Sequence, residues 1–342
     1  MPAYPTHPTP GAGGAGVSVD QKRGTVLVTS RSFSSGVRDL ASELEEAGYT
    51  VARGPATHDI DALRPALRTA VAWIAGTGPV TAAHLDEAPK LKVLARYGVG
   101  TDAVDLATAE ARGVVVTNTP GANSDAVADH ALALLLAVLR GVPAGDRNVR
   151  SGDWAVRRGR ELGSLTVGIV GFGRIGQGVA RRLAGFGSRL LVHDPYVDED
   201  TIRAAGGEPA ALDELPGLCD AVSLHAPGGT RVVDTAWIAR ARPGLTVVNT
   251  ARADLVDEFA VADALRSGRL AGYAADTLAA EGTAANSPLL AADLQDRVVV
   301  TPHLGAQTVE AVDRMGSAAT EDILAVLSGR APANPVHALE RK

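Results

Sequence analysis

One cysteine in 342 residues, Cys219, excludes an intrachain disulfide framework and a thiolate zinc cluster, and fits a reducing cytoplasm. Aromatic residues make up 4% of the chain, so its cores must be built from Ala, Val, Leu and Ile. Charge of one sign is not in excess either: 33 Lys and Arg stand against 39 Asp and Glu, a net charge of −6. That balance argues against a broad electrostatic grip on nucleic acid or an anionic membrane, although a few local arginines still suffice for a small anion. Long apolar runs are missing as well. The greasiest stretch, 131–139, is nine residues long, far short of the ~20 that span a bilayer. Residues 1–23 are rich in Pro and Gly and carry neither a basic leader nor an apolar core. They read as a disordered tail rather than a signal peptide. The expectation is a cytoplasmic protein with no membrane and no nucleic-acid partner.

What the chain does have is length and rhythm. Its size suits about two domains, and 46% hydrophobic with 21% charged residues is ordinary for a globular protein. From residue 25, short β-branched runs alternate with stretches of helical spacing. Strands are predicted at 25–29, 49–52, 71–75, 91–95 and 114–118, with helices at 36–47 and 60–69. A second cycle has six strands at Thr166–Val170, Arg189–His193, 221–225, Leu245–Asn249, 272–275 and 298–301. Such alternation, with continuous apolar strands, means parallel sheet and crossover helices. The predicted fold class is therefore α/β, with two doubly wound parallel-sheet domains. An Ala/Leu-rich helix, Ser124–Arg140, bridges the two cycles, with Asp125 and Asp129 in its early turns where carboxylates suit the helix dipole. A last helix is predicted at 308–327, before a Pro-rich end.

The strand Thr166–Val170 runs into Gly171, Gly173 and Gly176 in Gly-x-Gly-x-x-Gly spacing, with a helix to follow. The pattern alone is weak. Here it follows a strand, opens a helix, and precedes a second strand that ends in Asp194, eighteen residues after Gly176. That context reads as a dinucleotide site. Gly171 permits the tight turn, Gly173 lets the pyrophosphate approach, and Gly176 lets helix and strand pack closely. The helix N-terminus, with Arg174 and Ile175, receives the phosphates. A carboxylate at Asp194 accepts from both ribose hydroxyls and repels a 2′-phosphate, which favours NAD over NADP.

Ligands in such folds bind at the carboxyl ends of strands. There the sequence delivers Thr250, Ala251 and Arg252, then Asp276 with Glu281 five residues on, then His303 and Gly305. Thr250, Ala251, Asp276 and Gly305 are expected to line the cofactor. Arg252, Glu281 and His303 fit hydride transfer to a 2-keto acid. Histidine exchanges the hydroxyl proton near neutrality, and a carboxylate beside it stabilises the imidazolium and raises its pKa. Arginine offers a planar fork for a carboxylate and a carbonyl oxygen. Taken singly, each residue reads more simply as a structural histidine, an ion-paired arginine or a surface glutamate. The conjunction with the glycine turn shifts the reading.

At these motifs the sequence resembles the NAD-dependent D-2-hydroxyacid dehydrogenase family, in its phosphoglycerate-dehydrogenase-like branch, over about residues 71–330. Residues 91–102 resemble the family's substrate loop, 117–124 its interdomain stretch, 248–252 with 256–258 its arginine motif, and 301–308 its histidine motif. The resemblance implies Arg252, Glu281 and His303 as the catalytic set. It implies substrate contacts from Arg96, Tyr97, Gly98, Val99 and Gly100, the glycine loop offering backbone N–H groups to the substrate carboxylate. It implies a flavodoxin-like substrate domain over 24–120 and 308–342, an NAD-binding Rossmann domain over 121–307, and a homodimer formed through the latter.

Departures bear on the substrate. Ala253 stands where the family has Gly, Gly282 where it has Pro, and Gly228 and Gly229 shorten a connection. Phosphoglycerate dehydrogenases carry an arginine at the turn where this chain has Ala75, which weakens the case for 3-phosphoglycerate. Hydroxypyruvate, glyoxylate, pyruvate and phosphonopyruvate remain open. No regulatory module is expected after residue 330. A non-enzymatic NADH-sensing interaction protein of the same fold is the competing reading. Cys219 is expected to be a packed small hydrophobe, and His225 either lines the cofactor site or is structural. His130 is expected in the core or at the surface. Arg147, Arg150, Arg157, Arg158 and Arg160, around Trp154, read as a solvated or dimer-contacting arm.

Overall fold

Apolar runs this short and continuous are stable only with both faces covered, and the computed structural model arranges them in two covered sheets. It describes residues 23–279 and 286–338, so the tail expected at the start lies, except for Arg23, outside the described residues. The first sheet holds β1 (Thr25–Val28), β2 (Thr50–Arg53), β3 (Ala70–Ala75), β4 (Val93–Arg96) and β5 (Val115–Thr117), all parallel in the order 2-1-3-4-5. That is the flavodoxin-like order. The second sheet holds β6 (Thr166–Val170), β7 (Arg189–His193), β8 (Glu208–Pro209), β9 (Ala221–Leu224), β10 (Leu245–Asn249), β11 (Leu270–Ala275) and β12 (Val298–Val300). Its parallel order, 8-7-6-9-10-11-12, is the dinucleotide-binding order 3-2-1-4-5-6 with one strand added.

Two corrections concern the sheets. The second has seven strands rather than six, because β8 is two residues long, and proline in it cannot donate to a ladder. The first gains an antiparallel edge strand, β13 (Pro335–Val336), on β5. Asp322, 1% exposed, steers the chain there by accepting from the Ala333 amide at 2.6 Å and from Asn334 Nδ2 at 3.2 Å. The helix expected over 36–47 is only Leu40–Glu46. Asp39 caps it, while the amides of Val37 and Arg38 turn instead to the Asp313 carboxylate on the last helix, at 3.0 and 3.2 Å.

The chain crosses between sheets twice. The helix Ser124–Arg140 leaves the first sheet and packs on β10, β11 and the helix Arg174–Phe186, ending at Gly141 with φ +61°. The helix Val309–Leu327, capped by Thr308, returns to pack on β3, β4 and β5. The carboxyl ends of the strands thereby converge between the sheets, with Arg96, Gly171, Thr250, Asp276 and Thr301 just at or beyond them. Among the described residues no single helix is long and apolar enough to cross a membrane.

Cys219 is fully buried beneath β6, where the absent side chain of Gly168 makes room for its sulfur. Burial, with a contribution from Asp220, pushes its thiol up to about 12. A thiolate is the reactive species, so Ellman's reagent should label no thiol in the native protein and one per chain in guanidinium. Rapid native labelling would contradict this packing.

Candidate active site

The glycine turn has the tight bend at Gly171 and the close packing at Gly176 that the spacing predicts. Gly171 has φ +89°, its N–H donates to the His193 carbonyl at 2.8 Å, and a Cβ there would lie 2.6 Å from the His225 backbone carbon. Gly176 lies so close to the Gly171 carbonyl that a Cβ would collide with it. A Cβ at Gly173 would meet nothing within 4 Å. Gly173 is the exposed N-cap of the helix Arg174–Phe186, so its bare face opens onto the orphan amides of a helix start. Arg174 is exposed and Ile175 half-buried there. Asp194 is bound to the turn, its two oxygens accepting from the amides of Phe172 (2.6 Å) and Tyr196 (2.8 Å). Each carboxylate oxygen keeps a lone pair for a further donor.

Two buried polar atoms just beyond β9 and β10 lack partners among the described residues: His225 Nδ1 and Thr250 Oγ1. His225 packs against the turn, and its Nε2 pairs with Ser223 Oγ at 2.8 Å. Burial drives its pKa down to about 4, so it is neutral. A cradle that is open at Gly173, an acid at Asp194 and unsatisfied buried groups at the ends of the neighbouring strands fit a dinucleotide.

The histidine loop hangs on one carboxylate. Asp276 is 3% exposed. Its Oδ1 accepts from the Leu304 amide (2.9 Å) and Thr301 Oγ1 (2.5 Å), its Oδ2 from the Gly305 amide (2.8 Å), and its carbonyl from the His303 amide (3.0 Å). His130 Nε2 reaches Thr301 Oγ1 at 2.9 Å and Asp276 Oδ1 at 3.3 Å. Burial opposes ionisation of Asp276, but the hydrogen bonds from His130, Thr301, Leu304 and Gly305 outweigh it and hold the pKa below the usual carboxylate range. His303 is thereby held at φ +53°, an unfavourable conformation for a side-chain-bearing residue. Asp276 and Gly305, expected to line the cofactor, are thus turned towards the histidine loop. His130, expected in the core or at the surface, closes the cluster. Glu281 lies outside the described residues.

Arg252 joins the two sheets. Asn249, fully buried at the end of β10, shapes its turn by accepting from the Ala251 amide (3.0 Å) and donating to the Arg252 carbonyl (2.8 Å). The guanidinium then crosses to the loop after β4: Nε donates to Asp102 Oδ2 at 3.1 Å, Nη1 to the Ala251 carbonyl at 2.9 Å, and Nη2 lies against Gly100.

In that loop three expected substrate contacts take other roles. Arg96 is buried and directs Nε to the Gly100 carbonyl (2.9 Å) and Nη1 to the carbonyls of Ala75 (3.0 Å) and Gly76. Burial and the neighbouring Arg252 lower its pKa to about 10. Tyr97 points into the core, where its hydroxyl donates to the Val312 carbonyl at 3.0 Å. The Gly98 amide donates to Thr119 Oγ1 at 3.1 Å. Among the described residues, the amides of Val99 and Gly100 find no acceptor, so these two stay available to a ligand.

The basic run is largely paired: Arg147 with Asp296, Arg150 with Asp146, Arg157 with the Asp296 carbonyl and Arg160 with Asp220. It flanks an exposed arm with Trp154 77% and Val156 97% accessible. No group of described residues has the composition of a metal site.

A sequence model described as D-isomer specific 2-hydroxyacid dehydrogenase, NAD binding domain, matches residues 132–305. D-3-phosphoglycerate dehydrogenase of Mycobacterium tuberculosis is 44% identical over 255 residues, 73% of this chain and 48% of the relative. Glyoxylate reductase of Korarchaeum cryptofilum is 37% identical over 270 residues, 76% of this chain and 80% of the relative. The solved TT0316 protein of Thermus thermophilus is similar with a TM-score of 0.82 and 37% identity, over 91% of this chain and 99% of that one. The chain spans about half the length of the phosphoglycerate dehydrogenases it matches.

The glycine geometry separates binding from folding. Gly176→Ala should lower stability by about 1–3 kcal/mol through overpacking, read by urea unfolding. Gly173→Ala should unfold like wild type yet weaken NADH binding at least tenfold by fluorescence titration, roughly the cost of displacing a bound group by about 1.4 kcal/mol. Equal behaviour of the two variants would contradict the assignment.

Proposed function

The chain belongs to the D-isomer-specific 2-hydroxyacid dehydrogenase family, and from that premise we propose that it transfers hydride between NAD(H) and carbon 2 of a small 2-keto or 2-hydroxy acid. The observation that carries this reading is the meeting of Arg252, from the second sheet, with the loop of Gly100 and Asp102 from the first. That meeting makes an anion site at the carboxyl ends of both sheets. The amides of Val99 and Gly100 and the free donors of Arg252 bind the substrate carboxylate and polarise the keto oxygen. His303, held by the Asp276 cluster, gives its proton to that oxygen during reduction and takes it back in the reverse direction. Glu281 is proposed as its carboxylate partner. The glycine turn and Asp194 would hold NADH, which would supply the hydride when bound.

The substrate domain is proposed to comprise 24–120 and 308–342, and the cofactor domain 121–307, with a homodimer formed through the cofactor domain and the Trp154 arm. The single buried cysteine supports a cytoplasmic location. Ala75 is fully buried, and Arg96 faces backbone carbonyls. The turn after β3 therefore lacks an arginine of its own, and the cation against it, Arg96, already spends Nε and Nη1 on backbone carbonyls, which supports a less basic pocket. Small keto acids such as glyoxylate, hydroxypyruvate and pyruvate are favoured over 3-phosphoglycerate and phosphonopyruvate.

NADH consumption against glyoxylate, hydroxypyruvate, pyruvate, phosphonopyruvate and 3-phosphohydroxypyruvate, the keto form of 3-phosphoglycerate, should show turnover with the unphosphorylated acids first. Tight NADH binding with no acid consumed would overturn the enzyme reading in favour of an NADH sensor. His303→Ala should cut turnover at least 100-fold, as loss of a general acid does, while NADH affinity holds; wild-type turnover in a folded variant excludes His303. Asp194→Ala should narrow the preference for NAD over NADP by about tenfold or more, one lost charge-assisted hydrogen bond, and an unchanged ratio of kcat/KM values refutes the ribose contact.

A further inference from the structure

We propose that Asp102 is a positioning residue for Arg252, a role that no local motif in the sequence announces. The inference rests on the functional reading above, since it matters only if Arg252 holds the substrate.

A guanidinium carries five N–H donors in a rigid plane. In Arg252, Nε is bound by Asp102 Oδ2 at 3.1 Å and one Nη1 donor by the Ala251 carbonyl at 2.9 Å. Those two contacts fix the plane from opposite sides of the cleft, one from each sheet. The donors left free sit on the edge that lies against Gly100, beside the unpartnered amides of Val99 and Gly100. Released from Asp102, the terminal torsions of Arg252 would be free to carry that edge away from the amides.

Two further observations favour orientation over stability as the purpose of this pair. The side chains are 39% and 62% exposed, and ion pairs this wet add little to folding. Arg96 also lies close enough to Arg252 for the two cations to repel, and the same Asp102 carboxylate opposes that repulsion. Removing it would leave Arg252 both unpinned and pushed from behind. Gly100 completes the arrangement, because a Cβ there would collide with Nη2.

The test uses the full chain as wild type, Asp102→Asn, Asp102→Ala and Asp102→Glu, each alone and the asparagine variant also with Arg252→Lys. Keto-acid reduction, NADH affinity and the thermal midpoint are measured for each. Asp102→Asn and Asp102→Ala should lower kcat/KM about 10–100-fold, the scale set by misplacing a substrate clamp, with kcat and KM both affected. NADH affinity and the midpoint should stay near wild type, and Asp102→Glu should recover part of the loss. In the Arg252→Lys background, Asp102→Asn should cost less than about threefold more, because the two side chains act as one unit. Full additivity, an unchanged kcat/KM, or a lower KM in Asp102→Asn would each overturn the proposal, the last showing a lock that substrate must displace. Absence of turnover by wild type overturns the functional reading itself, and this inference with it.

Discussion

A carboxylate withdrawn from water must be surrounded by donors, and Asp276 is surrounded by Thr301, His130 and the amides of Leu304 and Gly305. Because those donors come from one loop and one facing helix, satisfying the charge determines the path of the chain through His303. The left-handed backbone at His303 is unfavourable by itself and persists because the carboxylate over-determines it. The helix Ser124–Arg140, which supplies His130, is thereby tied to the far edge of the second sheet as well as packed on its face. One buried charge thus links the crossing helix, β11 and the histidine loop.

On the other side of the cleft the same economy of parts holds with a cation. Arg96 is buried under its own strand end, and three backbone carbonyls accept from its Nε and Nη1. It shapes the Ala75–Gly76 turn and the Gly100 loop. The two sides differ in what they leave open. Around His303 the amides of His303, Leu304 and Gly305 are engaged, whereas at Val99 and Gly100 the amides remain without acceptors among the described residues. A proton-transferring group benefits from fixed placement, and a carboxylate site needs free donors.

The sequence was most legible where burial and local sterics decide. The limits of β6, β7 and β10 match the expected strands to the residue, because each centres on apolar residues buried on both faces of the sheet. The tight turn at Gly171 and the close packing at Gly176 were legible because each answers a local steric demand. It was least legible where a side chain chooses between neighbours distant in sequence. Arg96, Tyr97 and Gly98 lie in a substrate-loop pattern, yet they turn to Gly76, Val312 and Thr119. Asp102 and His130 find Arg252 and Asp276 across some 150 residues of chain, and no spacing rule announces either pair. The strand β8 was invisible because two residues, one of them proline, leave no periodicity to read.

The return of the helix Val309–Leu327 and of β13 to the first sheet has a consequence for synthesis. The second sheet is encoded without interruption from β6 to β12, so it can close as soon as that stretch leaves the ribosome. The first sheet is begun earlier but stays uncovered on the face that the helix Val309–Leu327 will occupy. At about 5–20 residues per second, that face waits on the order of ten seconds or more after β5 has emerged. The unit translated first is therefore completed last, and its apolar face is exposed to nascent-chain chaperones throughout that interval.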